Sequence, residues 1–231
     1  MAAGGGAEAP VVLSLRGLSK RFGPVQAADD VSLDLRRGER LALLGENGAG
    51  KTTLMNMLFG HYAPDAGEVW AAGADGELRR LPPGEPQAAL AAGIGMVHQH
   101  FTLAENLTGF ENVILGAESL LSAGRGRRAA RARLQALMDE TGLIAPLDER
   151  VSRLSVGERQ RIEILKALSR DARILVLDEP TAVLTPQEAD ALFATVGAMA
   201  ARGLSVIFIS HKLREVLAFS DRIVVLRGGR V

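Results

Sequence analysis

The sequence predicts an α/β fold: a parallel sheet core, an antiparallel β layer at the start and a helical insertion in the middle. Residues 174–177 and 206–209 are continuous aliphatic and β-branched runs, typical of central strands covered on both faces. Between them, residues 186–202 have a helical pattern, with Thr185 as the candidate N-cap and Pro186 at the first position. Alternating apolar and polar residues over 11–34 favour antiparallel strands.

A glycine-rich loop is the first candidate site. It lies between an apolar run at residues 40–44, typical of a buried strand, and a helical pattern at 52–58. Residues 45–52 match the phosphate-binding pattern G-x-x-x-x-G-K-[ST] at every fixed position. Such a loop points backbone N–H groups at phosphate oxygens, beside the positive end of the helix dipole. The predicted nucleotide-binding residues are Gly45, Glu46, Asn47, Gly48, Ala49, Gly50, Lys51, Thr52 and Thr53.

Composition limits the classes of function. The chain has 231 residues, of which 47% are hydrophobic, enough for one large domain. Its 27 basic and 27 acidic residues balance, which gives no electrostatic case for nucleic acid as the main partner. It has no cysteine, which excludes disulfides and thiolate metal sites, and no apolar run long enough to span a membrane. Residues 1–10 lack a signal-peptide pattern and are predicted to be a disordered tail of an intracellular protein.

The middle of the chain, residues 101–155, is predicted to be a helical subdomain inserted between the core segments 11–100 and 156–231. Apolar residues recur there at three- and four-residue spacing over 129–138. Five arginines accompany this pattern, and a solvated helix face is favoured over a binding patch: Arg125, Arg127, Arg128, Arg131 and Arg133.

Two carboxylates end the apolar run at 174–177. At the carboxyl edge of the sheet Asp178 can hold Mg²⁺ through water, and Glu179 can take a proton from an attacking water. Exposed acids in a strand-end turn are the alternative, which the upstream phosphate loop disfavours.

A second phosphate-binding surface is predicted near residue 155. Ser155 is expected to cap the helix that follows, with Glu158 completing a capping box. A helix N-terminus with a serine and a close-approach glycine, Gly157, can also bind phosphate. Both interpretations can hold together.

In this order the motifs resemble those of the nucleotide-binding domain of ATP-binding-cassette (ABC) transporters, over residues 13–231. Residues 45–52 are similar to its Walker A motif, 174–179 to its Walker B motif and 154–160 to its signature motif. The resemblance implies a P-loop NTPase (RecA-like) core in which Glu179 is the catalytic base.

The same resemblance assigns three further residues. Gln99 would contact Mg²⁺, together with Thr52 and Asp178, and sense a membrane partner. His211 would contact the γ-phosphate, a role that its place after the Walker B motif favours over a polar cap. Phe22 would stack on adenine, the alternative being a core or surface phenylalanine.

Two motifs depart from the usual family pattern. The signature reads Leu-Ser-Val-Gly-Glu rather than Leu-Ser-Gly-Gly-Gln, and residues 182–185 read Ala-Val-Leu-Thr rather than Ser-Ala-Leu-Asp. With residues 97–101 and 180–188, these variants are similar to ATPases of bacterial simple-sugar and nucleoside importers, in which two cassettes are normally fused. The chain stops at residues 227–231, inside a predicted hairpin, and would then be the first cassette of a tandem protein, cut as a fragment.

The resemblance implies an ATPase that uses ATP and Mg²⁺ to drive uptake of nucleosides or simple sugars. It would be a peripheral protein on the cytoplasmic side of the membrane. Its partners would be a second, fused nucleotide-binding domain, integral membrane permease subunits and, indirectly, a solute-binding protein, with no nucleic acid. Two alternatives stay open: a soluble non-transport ABC ATPase, and a hydrolysis-impaired cassette that binds ATP only to close a dimer.

Overall fold

Two sheets form the framework. A computed structural model describes residues 9–99, 101–115 and 125–231. Its strands are β1 (Val11–Phe22), β2 (Val25–Arg36), β3 (Arg40–Leu44), β4 (Ala66–Ala72), β5 (Leu78–Arg80), β6 (Ile94–Val97), β7 (Ile174–Asp178), β8 (Ser205–Ile209) and β9 (Arg222–Val225). An antiparallel sheet has the order β2-β1-β4-β5, and a parallel sheet the order β6-β7-β8-β3-β9. Both predicted central runs therefore lie inside the parallel sheet.

The helices are α1 (Lys51–Leu58), α2 (Pro86–Ala91), α3 (Gly109–Ile114), α4 (Arg125–Thr141), α5 (Val156–Leu168), α6 (Pro186–Ala201) and α7 (Leu213–Phe219), with a 3₁₀ turn at Val151–Arg153. The prediction for α6 is confirmed, since Thr185 caps it and Pro186 opens it. Neither β5 nor α2 was predicted; both are short segments without a clear period.

The parallel sheet is covered on both faces. On β3, Leu41 and Leu43 pack into a cluster with α1 and the antiparallel sheet, whereas Ala42 packs with the helices of the opposite face. On β8, Ile207 and Phe208 divide between the two clusters in the same way. Successive side chains of a strand point to opposite faces, so a continuous apolar run fills two cores.

Four of the five predicted arginines are exposed on α4, on a solvated face as predicted: Arg127, Arg128, Arg131 and Arg133. The side chain of Arg125 lies outside the described part of the chain. Arg133 pairs with Asp171 at 2.8 Å, and Arg131 pairs with Asp148. The Arg127 guanidinium lies over the Phe110 ring, 5.3 Å from its centroid. These contacts fasten the helical insertion to its neighbours. In the two ion pairs, an aspartate opposes the charge of the arginine.

The ends of the chain test two further expectations. Most of the predicted disordered tail, residues 1–8, lies outside the described residues, while the Pro10 carbonyl accepts a hydrogen bond from the Arg37 backbone N–H at 2.9 Å. The predicted terminal hairpin is present, since Arg227 donates to the Arg230 carbonyl at 2.8 Å. Within the described ranges, no helix combines the length and the apolar character needed to cross a bilayer.

Candidate active site

The phosphate loop has the predicted strand–loop–helix context, since it runs from the end of β3 to the start of α1. Gly50 stands at the N-cap of α1 with φ 102°, a left-handed conformation that disfavours any side chain. A Cβ atom there would also lie 2.0 Å from the Ala27 carbonyl oxygen. Only glycine fits this position, because β2 passes directly beneath the loop.

Lys51 lies over the loop as its only side-chain cation. The side chain is 8% exposed, and Nζ donates to the carbonyls of Gly45 at 2.6 Å and Glu46 at 3.0 Å. Two of its three N–H donors are used in this way. The loop residues from Gly45 to Ala49 line a cleft of about 740 Å³, and His211 lines the same cleft.

One edge of the parallel sheet carries four predicted site residues: Asp178, Glu179, Gln99 and His211. Val97 pairs with Leu177, so His98 and Gln99 leave β6 beside Asp178 and Glu179. Glu179 has φ 46°, an uncommon left-handed conformation for a residue with a side chain, and its N–H donates to the Ile209 carbonyl at 3.0 Å. The strained backbone turns this carboxylate from β7 toward the loop after β8.

His211 contacts Glu179 directly. Its Nδ1 lies 3.0 Å from Glu179 Oε1, with the histidine side chain 59% exposed and the glutamate side chain 16% exposed. An ionised carboxylate only accepts hydrogen bonds, so Nδ1 carries the proton in this contact. The other ring nitrogen, Nε2, is then left for a ligand in the cleft.

Burial raises the pKa of Asp178 above its ordinary value, and the charge of Glu179 raises it further. His98 and Lys51 are near enough to oppose this shift, though they do not cancel it. Asp178 therefore pays a desolvation penalty for its charge, which a bound cation would relieve.

We expect Asp178→Asn to raise the melting temperature of the nucleotide-free chain at pH 7. The pKa of Asp178 is higher in the folded than in the unfolded chain, so its ionisation destabilises the fold above the folded-state pKa. The difference between parent and variant should vanish as the pH falls below the ordinary value of 3.8. Thermal unfolding from pH 3 to pH 8 measures it, with the exposed Asp190→Asn as control. A lower melting temperature at pH 7 would contradict the expectation.

The oxygen donors at this edge fit Mg²⁺, which prefers carboxylate, hydroxyl and phosphate oxygens. Thr52 is exposed on the first turn of α1, and its hydroxyl makes no hydrogen bond within the described ranges. In those ranges no group of three or more His, Cys, Asp or Glu side chains is placed to hold a metal by itself. The residues thus suit an ion that a bound triphosphate helps to hold.

The predicted second phosphate-binding surface contains the expected capping box. Ser155 Oγ accepts from the Glu158 N–H at 3.3 Å, and the Ser155 N–H donates to Glu158 Oε2 at 2.8 Å. These bonds lower the pKa of Glu158. The Glu158 carboxylate is therefore directed back at its own helix cap.

Gly157 lies against α6. A Cβ atom at Gly157 would be 2.7 Å from Glu188 Oε1. Gly157 and Glu188 line a separate cavity of about 240 Å³, which the phosphate loop does not line. Glu188 also forms the capping box with Thr185, and this bonding lowers the pKa of Glu188. A threonine thus serves as the α6 N-cap at the position of the sequence departure.

Sequence similarity covers nearly the whole chain. Residues 28–182 match the family described as ABC transporter (ABC_tran). The chain is 45% identical over 245 residues to the glucose import ATP-binding protein TsgD13 of Haloferax volcanii, covering 94% of this chain and 44% of that protein. It is 45% identical over 219 residues to the nucleoside import ATP-binding protein NupA of Lactococcus lactis, covering 95% and 42%. The chain belongs to the ABC transporter family.

Solved structures place the cassette in the same family. It superposes on a nucleotide-free ATP-binding cassette from an ABC transporter with a TM-score of 0.83 at 26% identity, covering 95% of this chain and 89% of that one. The ADP conformation of MJ1267, another such cassette, gives 0.82 at 27% identity, with the same coverage. The predicted P-loop NTPase core is confirmed. The cassette spans less than half the length of the curated relatives described above.

Phe22 is not a core residue. It is 44% exposed at the end of β1, and its ring lies edge-on to Tyr62 with 5.6 Å between centroids. Lys20 Nζ lies 5.7 Å from the Phe22 ring centroid. The core alternative is therefore wrong, and adenine stacking stays a prediction.

We expect Phe22→Ala to weaken nucleotide binding by about 1–3 kcal/mol, the cost of losing one aromatic–base stack. ATP and GTP should lose similar affinity, because stacking reads a π-face rather than base edges. Calorimetric titration measures this, and Phe22→Tyr, which keeps the ring, is the matched control. A change of only a few tenths of a kcal/mol in the binding free energy would indicate that Phe22 is a surface residue that does not contact the base.

Sequence reasoning missed several neighbours of the site. His98 stacks on His61 with 6.2 Å between ring centroids and lies beside Asp178. Glu188 lies against Gly157, as described above. Glu215 Oε2 accepts a hydrogen bond from Thr181 Oγ1 at 2.5 Å. Each contact joins segments far apart in the sequence, so no local pattern signals it.

Proposed function

We propose that the cassette binds and hydrolyses ATP to energise an importer of nucleosides or simple sugars. The contact that carries the hydrolytic part is the 3.0 Å approach of His211 Nδ1 to Glu179 Oε1, at the edge of the cleft that the phosphate loop lines. In this contact a proton acceptor and an imidazole lie side by side, where they would face the terminal phosphate of a nucleotide bound by the loop.

In this proposal the loop N–H groups and Lys51 bind the phosphates, and Phe22 stacks on the base. A water attacks the γ-phosphorus, the bond to the β-bridging oxygen breaks, and the water proton passes to the Glu179 carboxylate. His211 holds that carboxylate and contacts the γ-phosphate through Nε2. Mg²⁺, when bound by Thr52, Asp178 and Gln99, neutralises phosphate charge.

The transport part rests on the relatives. TsgD13 and NupA are named for glucose and nucleoside import, and the ribose import ATP-binding protein RbsA of Chromobacterium violaceum is 43% identical over 221 residues. Three different solutes at nearly equal identity support the importer class without selecting a solute. We propose a permease and a second cassette as partners, a solute-binding protein as an indirect one, and a peripheral position on the cytoplasmic face of the membrane.

The phosphate loop and Gly157 line different cavities, which supports a head-to-tail pair of cassettes. Lys51 of one cassette and Ser155 of the other would contact the same ATP. The isolated chain should therefore bind Mg-ATP, remain monomeric at micromolar concentration and turn over well below the enzyme range of ~1–10³ s⁻¹. Light scattering with and without Mg-ATP, with phosphate release across protein concentrations, tests this. Brisk turnover independent of protein concentration would show that one cassette holds a complete site.

Two further measurements, one on the isolated chain and one on the proposed tandem protein, separate the alternatives. Salt-sensitive binding to RNA would favour a soluble ATPase that acts on nucleic acid. ATP binding without single-turnover hydrolysis in the intact tandem protein would favour a cassette that only closes a dimer.

A further inference from the structure

A polar cluster lies immediately behind His211. Its members are Thr181, Ser210, Lys212 and Glu215, and we call them the Glu215 cluster. Thr181 is 1% exposed and Ser210 3% exposed, while the Glu215 side chain is 17% exposed. Burying two hydroxyls, and most of a carboxylate, costs free energy unless these groups bond to one another.

Glu215 bonds with both oxygens to the surrounding loops. Its Oε2 accepts from Thr181 Oγ1 at 2.5 Å and from Ser210 Oγ at 3.4 Å, and its Oε1 lies 3.2 Å from Lys212 Nζ. Lys212 Nζ in turn donates to the Thr181 carbonyl at 2.8 Å. The cluster therefore joins the loop after β7 to the loop after β8.

Those two loops carry the proposed catalytic pair. Thr181 follows Glu179 by two residues, and His211 lies between Ser210 and Lys212. His211 itself is 59% exposed, and Glu179 is its one side-chain hydrogen-bond partner in the described ranges. Its place is thus determined more by the residues that flank it than by packing of its ring.

We propose that Glu215 is a positioning residue that holds His211 against Glu179; this rests on the proposed function. An acid in the first turn of a short helix commonly interacts with that helix's own N–H groups. Glu215 instead directs both carboxylate oxygens at side chains. Among these side chains, that of Thr181 lies on the neighbouring loop after β7. A shift of the ring by one ångström would separate Nδ1 from the carboxylate and reduce turnover.

Nitrogen NMR of the imidazole rings tests the positioning without any turnover. The chain has four histidines, and His211→Gln identifies the His211 signals. In Glu215→Gln, the His211 ring signals should shift or broaden by more than a linewidth, with those of His61 unchanged. Thr181→Val, which removes only the hydroxyl bond, should move the same signals less. His211 signals that stay in place in both folded variants would overturn the proposal. The exposed Glu140→Gln is the control.

Turnover at high protein concentration gives the second readout. Glu215→Ala should lower kcat roughly 10- to 100-fold at unchanged KM for ATP. In a His211→Ala background the same change should cost nothing further, since Glu215 acts through His211. An equal loss in both backgrounds would reject the assignment and indicate a general structural role. Absence of ATP hydrolysis both in the isolated parent chain and in a protein that also carries the proposed second cassette would reject the proposed function instead, while the NMR result would still decide the positioning.

Discussion

Glu179→Gln should leave ATP binding intact and lower turnover by about 10²–10⁴-fold, the usual contribution of a general base. Glutamine keeps the shape of the side chain, but its amide cannot take the proton of the attacking water. The Glu179 side chain is 16% exposed and lies 3.0 Å from His211 Nδ1, so the carboxylate is held beside the imidazole. Phosphate release, together with nucleotide titration by calorimetry, measures the two effects separately.

The matched control for Glu179→Gln is Glu140→Gln, the same chemical change at an exposed residue near the end of α4. In a protein that also carries the second cassette proposed above, Glu179→Gln should also accumulate an ATP-stabilised closed dimer. Hydrolysis at the parental rate would show that the proton acceptor is another group.

Lys51→Ala should weaken ATP binding by roughly 10- to 100-fold or more, because a charged hydrogen bond contributes about 1.5–3 kcal/mol. Lys51 also donates to the carbonyls of Gly45 and Glu46, so the variant removes two hydrogen bonds within the loop itself. Calorimetric titration with ATP, beside thermal unfolding of the free chain, separates lost affinity from a loosened loop.

Two control variants accompany Lys51→Ala. Lys51→Met keeps most of the aliphatic stem and removes the charged ammonium group with its hydrogen-bond donors. Lys166→Ala removes a cation on α5 that does not line the phosphate-loop cleft. Unchanged affinity in Lys51→Ala would mean that the loop is not the nucleotide site.

Local signals predicted most of the fold. The β-branched runs of β7 and β8, the cap of α6 and the glycine pattern before α1 depend on neighbouring residues, and the structure contains each of them. The short elements β5 and α2 escaped because three and six residues are too few to display a period.

The sequence predicted which residues form the site better than it predicted how those residues are arranged. Sequence order placed Glu179 and His211 at strand ends, but not their 3.0 Å contact, nor the left-handed backbone at Glu179. Glu215 lies four residues after His211 and has the pattern of an ordinary first-turn acid. Its partner Thr181 comes from another strand, and only the fold brings the two together. The roles assigned to these residues stay predictions.

The position of β3 in the parallel sheet has a consequence for folding. Both strands beside it come from late in the chain: Arg40 pairs with Val206, and Leu41 with Arg222. Pairings across such long separations close large loops and slow folding. A nascent chain must therefore keep Leu41 and Leu43 unpaired until more than 160 further residues have been synthesised (Arg40 and Val206 being 166 apart). During that interval β3, the strand that leads into the phosphate loop, has no partner on either edge, and it is where a holdase chaperone would protect the growing polypeptide from aggregation.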